Sequence, residues 1–294
     1  MSKQTLQVGI VQFSMEDNPT KNLEKAIVAI EHLADKGAEC IVLPELFLTK
    51  YFCQKEDIKF FSLAEEVPGK TTKIFEEIAK RRSVSIVLSL FEKVNTGIYF
   101  NTVAYISDKG YQGKYRKTHI PDDPSFYEKF YFAPGDLGFN CYSLKSFNLA
   151  PLICWDQWFP EAARIAALKG ANILVYPTAI GWHPKEKEAY GAKQFTAWET
   201  IQRSHAIANG CYVVVANRVG YESIDSSNTG IQFWGQSFAV NPYGEVIAKA
   251  NDHDDASLLC EINLDLIEEF RHGWPFFRDR RVDLYSDLTK LHLE

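Results

Sequence analysis

An order of elements that occurs twice, with no linker between the copies, restricts the fold of this 294-residue chain more than any other feature. Leu6–Phe13 reads as a strand. Asn18-Pro19 then opens a helix whose apolar face (Leu23, Ala26, Ile27, Ile30, Leu33, Ala34) follows three- and four-residue spacing and ends at Gly37. Cys40–Leu43 is a buried strand. Gly69–Arg82 is a second helix with Ile74, Phe75, Ile78 and Ala79 inward, and Val84–Phe91 is a third strand. Thr102–Ser107 and Gln112–Arg116 pair as a hairpin that turns at Asp108-Lys109-Gly110. The order then returns. Leu149–Cys154 is a strand, with Pro151 near its start, and Pro160–Lys169 a helix closed by Gly170. Ile173–Tyr176 is a strand and Tyr190–Asn209 a helix with Trp198, Ile201, His205 and Ala208 on one face. Tyr212–Ala216 follows, then a hairpin of Gln236–Val240 with Glu245–Ala248, and a last strand Leu258–Ile262. Only the organisation repeats; the letters do not match. Two such halves predict an α/β chain with two sheets packed face to face and helices outside. They predict one domain over 1–294, with a C-terminal tail from about residue 265. The aromatic and basic part of that tail, Phe270–Leu284, fits either a cap on its own sheet or a wrap around a neighbouring subunit.

The chain is 46% hydrophobic, enough for a large core, and its net charge of −6 is spread without long runs of one sign. No basic stripe is visible, so nucleic acid is not the expected partner. Six cysteines (Cys40, Cys53, Cys141, Cys154, Cys211, Cys260) lie scattered, with no CxxC pair. That argues for reduced thiols in the cytoplasm and against a disulfide framework or a metal site. No signal-peptide run opens the sequence and no stretch approaches a membrane span. No cofactor is expected, and a small-molecule substrate is.

Three stretches end apolar strands or hairpins in reactive side chains: Leu43-Pro44-Glu45-Leu46, Tyr115-Arg116-Lys117-Thr118-His119-Ile120-Pro121, and Ile153-Cys154-Trp155. Cys154 falls between a strand end and the helix start Pro160-Glu161, near backbone N–H groups that favour a thiolate. A thiol, a base and a cation suit nucleophilic acyl chemistry, in which the cation holds the developing oxyanion. Each also has a plainer reading: Cys154 as a small core hydrophobe, Glu45 as a turn carboxylate, Lys117 as a solvated loop charge. Spacing alone does not bring the three together. The long segment from Lys117 to about Asn140 reads as irregular, and connections of that length are often functional.

The segments around Glu45, Lys117 and Cys154 (PEL, YRKTHIP and ICWDQWFPEAAR, in that order) resemble the three signatures of the nitrilase, or carbon–nitrogen hydrolase, superfamily. The likeness runs from about Leu6 to about Tyr285. It implies a four-layer α-β-β-α sandwich. It also implies Cys154 as nucleophile, Glu45 as general base and Lys117 as oxyanion stabiliser. Glu128 matches the second glutamate of many amidase branches. The N–H of Trp155 is a candidate second oxyanion donor, and His119 is read as structural.

Within the superfamily, Tyr51-Phe52-Cys53-Gln54, the run Tyr127–Asp136, Pro177–Gly181 and Phe277–Arg281 resemble the N-carbamoylputrescine amidases. That implies hydrolysis of a linear ureido group, with release of carbon dioxide and ammonia. After Gly181 the chain departs from that branch, reading Trp182-His183-Pro184-Lys185-Glu186-Lys187-Glu188. Tyr51, Trp155, Trp182 and Glu188 are the candidate substrate-binding residues. Trp158 is a further aromatic candidate and Glu186 a further carboxylate. The Lys/Glu run also reads as a solvated helix-entry face. An N-carbamoyl amino acid amidase or an ω-amidase would use the same site, with Arg203 a candidate partner for a substrate carboxylate. A non-catalytic binding protein of the same fold is the alternative from another class. A cysteine–histidine hydrolase would need His205, which falls on a helix face read as core. By resemblance, a homo-oligomer is expected.

Overall fold

The computed structural model describes residues 4–225 and 229–293. Its elements run β1 (Thr5–Gln12), α1 (Pro19–Asp35), β2 (Cys40–Val42), α2 (Lys70–Arg82), β3 (Ser85–Asn95), β4 (Ile98–Ser107) and β5 (Gly110–Arg116). Two short strands, β6 (Asp122–Asp123) and β7 (Phe126–Tyr127), interrupt the segment that the sequence left irregular. The second half runs β8 (Tyr142–Leu144), β9 (Phe147–Pro151), α3 (Pro160–Leu168), β10 (Ile173–Thr178), β11 (Gly181–Trp182), α4 (Lys187–Asn209), β12 (Tyr212–Asn217), β13 (Val219–Glu222), β14 (Ile231–Trp234), β15 (Phe238–Val240), β16 (Val246–Lys249), β17 (Ala256–Asn263) and α5 (Leu264–Gly273).

Two six-stranded sheets, ordered β17-β1-β2-β3-β4-β5 and β16-β15-β12-β10-β9-β8, form the two inner layers of a four-layer α-β-β-α sandwich. Strand alternation assigns the faces. Val87 of β3 and Val103 of β4 point between the sheets, toward the face of the second sheet that carries Leu149, Ile173 and Tyr212. Ile86, Leu88 and Ala104 point the other way, onto Ile30 and Leu33 of α1 and Phe75 and Ile78 of α2. Each large side chain buried this way stabilises the fold by about 1.5–3 kcal/mol. Ile74 of α2 is the exception to the expected inward set. It is exposed, one residue off the stripe of Phe75, Ile78 and Ala79.

The helix ends follow local chemistry. Asn18 caps α1 by accepting the N–H of Thr20 at 2.9 Å, with Pro19 at the first position. Gly37, at φ +89°, closes it, and the N–H of Ala38 donates back to Leu33.

Several expectations need correction. Pro151 ends β9 instead of lying near its start. The last strand, β17, pairs with β1 and so returns to the first sheet. A third small sheet, β11-β14-β13, has no counterpart in the first half. The inward face of α4 is Trp198, Gln202, His205, Ala206 and Asn209, without Ile201 or Ala208. The segment expected as a tail from about 265 begins inside α5, and irregular chain follows only after Gly273. No helix among the described residues is long and apolar enough to cross a membrane.

Candidate active site

The parallel strands β1-β2-β3 and β9-β10-β12 deliver two loops to neighbouring sheet ends. The N–H of Glu45, after β2, donates across the sandwich to the carbonyl of Thr178 at 3.4 Å. The next residue, Leu46, takes a left-handed φ of +48° and is pinned by donating its N–H to Ser89 Oγ at 3.1 Å. A turn this sharp is what aims the Glu45 side chain inward.

Lys117 follows β5. Arg116, the residue before it, grips the buried Glu92 with two N–H bonds of 2.9 and 2.7 Å, and Lys117 donates its own N–H to the carbonyl of Asn101 at 2.9 Å. Gly135 then packs on this strand end. A Cβ there would stand 2.1 Å from the Arg116 carbonyl oxygen, so only glycine permits the approach.

Glu45 and Lys117 are without solvent exposure, and Glu128, in a 3-10 turn at Glu128–Phe130, is 1% exposed. The three side chains meet. Lys117 Nζ donates to Glu45 Oε1 at 2.8 Å and to both oxygens of Glu128 at 2.9 and 2.7 Å. Asn101 Nδ2 donates to the same Glu45 Oε1 at 2.7 Å, and Tyr51 OH to Glu128 Oε1 at 2.6 Å. Glu45 Oε2 is buried with no partner. Buried carboxylate oxygens are nearly always bonded, so this one is an unused acceptor.

The charges follow from the packing. Burial works against the Lys117 ammonium, but Glu128, Glu45 and Cys154 outweigh it and hold its pKa well above the ordinary value. Burial pushes Glu128 up to about 7, against the pull of Lys117 and with the push of Glu45.

Cys154 sits on the facing loop with φ +40°, a conformation unusual for any residue but glycine and typical of strained functional turns. Its thiol points at the Ala179 carbonyl, 3.8 Å away. Burial and then Glu45 push the thiol well above its usual range, although Lys117 opposes them. A thiol held this way becomes a nucleophile only where a base takes its proton. Cys154–Trp158 forms a 3-10 helix absent from the sequence expectation. Trp155 holds its N–H in the opening turn, where helical amides lack an intrahelical acceptor.

That elbow is clamped by groups among which sequence reasoning missed Asp156, Gln157 and Gln202. Asp156, fully buried, accepts the Ile153 N–H at 2.9 Å, the Tyr115 hydroxyl at 2.8 Å and the His119 N–H at 3.0 Å. His119 also sets its Nδ1 2.8 Å from Asp156 and stacks on Phe159, which is the structural role expected of it. From α4, Trp198 Nε1 and Gln202 Nε2 each donate to Gln157 Oε1 at 2.7 Å, and His205 Nε2 lies 2.7 Å from the Gln157 carbonyl. His205 thus belongs to the clamp and not to the thiol. The one sequence signal for this clamp was polar residues at buried helix phase.

A cavity of about 700 Å³ opens onto Cys154 and Glu128. Trp155 and Trp158 line it, with Asp123, His183, Lys185 and Glu186 among the residues at its walls. Three expected substrate contacts are not there. Tyr51 is wholly buried behind Glu128, which it holds by its hydroxyl. Trp182 packs against Trp234 and donates its indole N–H to the Gly191 carbonyl at 3.1 Å. Glu188 lies exposed in the first turn of α4, off the cavity wall, which Glu186 occupies instead. Arg203 bonds the Gly244 carbonyl at 2.7 Å and lines a different groove. Among the described residues, no three His, Cys, Asp or Glu side chains group to hold a metal ion.

Comparison with known proteins agrees with this geometry. A model of the carbon-nitrogen hydrolase family matches residues 7–272. An N-carbamoylputrescine amidase of Oryza sativa subsp. japonica is 42% identical over 288 residues, covering 97% of this chain and 94% of its own. A citrullinase of Francisella tularensis subsp. tularensis is 38% identical over 287 residues, covering 97% and 98%. The crystal structure of a carbon-nitrogen hydrolase from Helicobacter pylori G27 superposes with a TM-score of 0.95 at 44% identity, covering 99% of this chain and all of its own. With its sandwich, its buried Glu–Lys–Glu cluster and its cysteine elbow, the chain belongs to the carbon–nitrogen hydrolase (nitrilase) superfamily of amidohydrolases.

Proposed function

We propose that the chain hydrolyses N-carbamoylputrescine to putrescine, carbon dioxide and ammonia, a step of polyamine synthesis, with Cys154 as nucleophile. The observation that carries the chemistry is the unpartnered Glu45 Oε2 in a cluster whose other oxygens are all bonded. The substrate follows from the 42%-identical relatives bearing that name.

Cys154 Sγ attacks the ureido carbon while its proton passes to Glu45 Oε2. The carbonyl oxygen becomes an oxyanion, held by Lys117 Nζ and the Trp155 N–H. Lys117 already meets three oxygens, so the oxyanion takes a share of the redundant pair to Glu128. Glu45 returns its proton to the leaving nitrogen, and ammonia departs from an S-carbamoyl enzyme. Water then gives a proton to Glu45 and attacks the same carbon, and Glu45 passes that proton to the departing sulfur, which frees the thiol and a carbamic acid. The carbamic acid loses carbon dioxide to yield the amine. Glu128 keeps Lys117 charged and in place, and Tyr51 keeps Glu128 in place.

Further proposals complete the reading. The chain works as a single domain. Its six free cysteines suit a reducing, cytoplasmic setting. Exposed apolar side chains on α3 (Ile165, Leu168) and after α5 (Trp274, Leu284, Leu288) suit a homo-oligomer.

The test is ammonia release from N-carbamoylputrescine, N-carbamoyl-β-alanine, citrulline and glutaramate, with intact-protein mass measured after brief exposure to each. Turnover of the first compound above the rest, with a carbamoyl adduct on Cys154 that Cys154→Ala lacks, is expected. Preference for a carboxylate-bearing compound overturns the substrate, and full activity of the alanine variant overturns the nucleophile.

A further inference from the structure

Glu45 stands on a loop without regular structure, held by Ser89 and Asn22 of its own half and, at more points, by one residue of the other half of the chain. Arg218, between β12 and β13, is wholly buried. Its Nη2 donates to the carbonyls of Glu45 at 2.6 Å and Leu46 at 3.1 Å. Its Nη1 donates to the Thr49 carbonyl at 3.2 Å and to the two oxygens of Glu222 at 3.0 and 2.9 Å. Glu222 Oε2 in turn accepts the backbone N–H of Tyr51 at 2.7 Å. The guanidinium lies 5.8 and 5.2 Å from the ring centroids of Tyr51 and Phe233.

One ion pair therefore grips residues 45 to 51 at four points. It reaches both carboxylates beside Lys117: Glu45 through its own carbonyl, and Glu128 through Tyr51. Stability alone is a weak reason for such a pair, since buried ion pairs are often replaced by apolar side chains without loss. A strained turn at Leu46 that must hold a base in register is a better one.

We propose that the Arg218–Glu222 pair is a positioning unit that sets the spacing of Glu45 and Glu128 about Lys117, and so governs the chemical step and not substrate binding. Neither residue is on the cavity wall. Lysine does not substitute for the arginine here, because a point charge cannot span three carbonyls and a carboxylate in one plane. The inference rests on the catalytic assignment above but not on the choice of substrate.

The test uses full-length Arg218→Lys and Glu222→Gln, which keep hydrogen-bonding groups in the pocket, together with Arg218→Met. Two readouts are taken. One is kcat and KM per titratable Cys154 on whichever amide or ureido compound the wild type turns over. The other is the pH profile of Cys154 modification by methyl methanethiosulfonate, which needs no substrate. For Arg218→Lys, a roughly 100-fold loss of kcat is expected, the scale for a displaced catalytic group, with KM within about twofold. The modification profile shifts by about half a pH unit or more, because the charges around the thiol have moved. Arg218→Met, where it folds, falls below Arg218→Lys. Lowered melting temperature with unchanged kcat per reactive thiol and an unchanged profile makes the pair merely structural and overturns the proposal. If the wild type cleaves none of the compounds, the substrate reading fails, and the thiol profile still decides this one.

Discussion

The two ends of the cavity are built on opposite principles. At the inner end, Glu128 reaches the cavity wall, and Glu45 and Lys117 stand behind it; all three have almost no solvent exposure, come from strand ends and a tight turn, and Lys117 bonds both carboxylates. At the mouth, Asp123, Lys185 and Glu186 are exposed on loops and a helix start, and His183 is half-buried beside them. In the dry end each charge acts at full strength and cannot relax, so geometry decides the rate. At the wet end, water and salt screen each charge, so a change there costs little. On the proposed mechanism, chemistry is fixed where solvent is excluded, and recognition is free to vary where it is not. Relatives whose names point to different substrates are what such a division allows.

The largest expected effect breaks the inner end. Lys117→Met removes the oxyanion donor and leaves Glu45 and Glu128 facing each other without a cation. Losing one oxyanion donor costs about 10²–10³ in kcat. With the unbalanced carboxylates added, the total loss is roughly 10³ or more. Ammonia release per folded protein, with folding checked by circular dichroism, reads this directly. A variant that keeps a tenth of the activity would show the inner end to be no more exacting than the mouth.

A smaller effect sharpens the account of Glu128. Its carboxyl is raised from an ordinary 4.5 to about 7, burial being the main cause. Between those values the folded chain binds more protons than the unfolded chain at this residue. Stability from it is therefore full below about pH 4.5 and declines as pH rises through about 7. The stability of wild type minus that of Glu128→Gln should fall across that window, as measured by urea unfolding at several pH values. A difference that rises with pH would mean that Lys117 outweighs burial and that the carboxyl is ionised throughout.

How much of this was legible in the sequence also divides along the cavity. Glu45 and Cys154 end apolar runs and Lys117 ends a hairpin, and such patterns mark strand ends locally. What held them was not local. Asn101, Asp156 and Arg218 act on residues 56, three to 41, and 169 to 173 positions away, and no periodicity encodes those pairings. Strand β17 was recognisable as a strand, but its place beside β1 was not, because alternation names a face and not a neighbour. Helix α4 departs from the apolar-stripe rule because Gln202 and Asn209 are inward beside the expected Trp198 and His205, their polar groups engaged with the cysteine elbow or with the helix's own backbone. Tyr51 was taken as a substrate contact from its motif, whereas its hydroxyl is spent on Glu128.

The smallest effect belongs to the mouth and turns on Glu186. Its carboxylate lies on the cavity wall at the N-cap of α4, exposed, two residues before the Glu188 that the sequence suggested. If a cationic amine reaches this end, Glu186 and Asp123 attract it, while Lys185 beside them subtracts. An exposed ion pair is worth about 0.2–1 kcal/mol, so Glu186→Gln should raise KM for N-carbamoylputrescine by at most about fivefold. This carboxylate is exposed and bonds no member of the buried cluster, so kcat should stay within about twofold. The effect should also shrink as salt is raised, since added ions screen an exposed pair but not the buried cluster. A loss of kcat in this variant, or a KM change that ignores ionic strength, would tie the mouth to the chemistry and remove the division between the two ends.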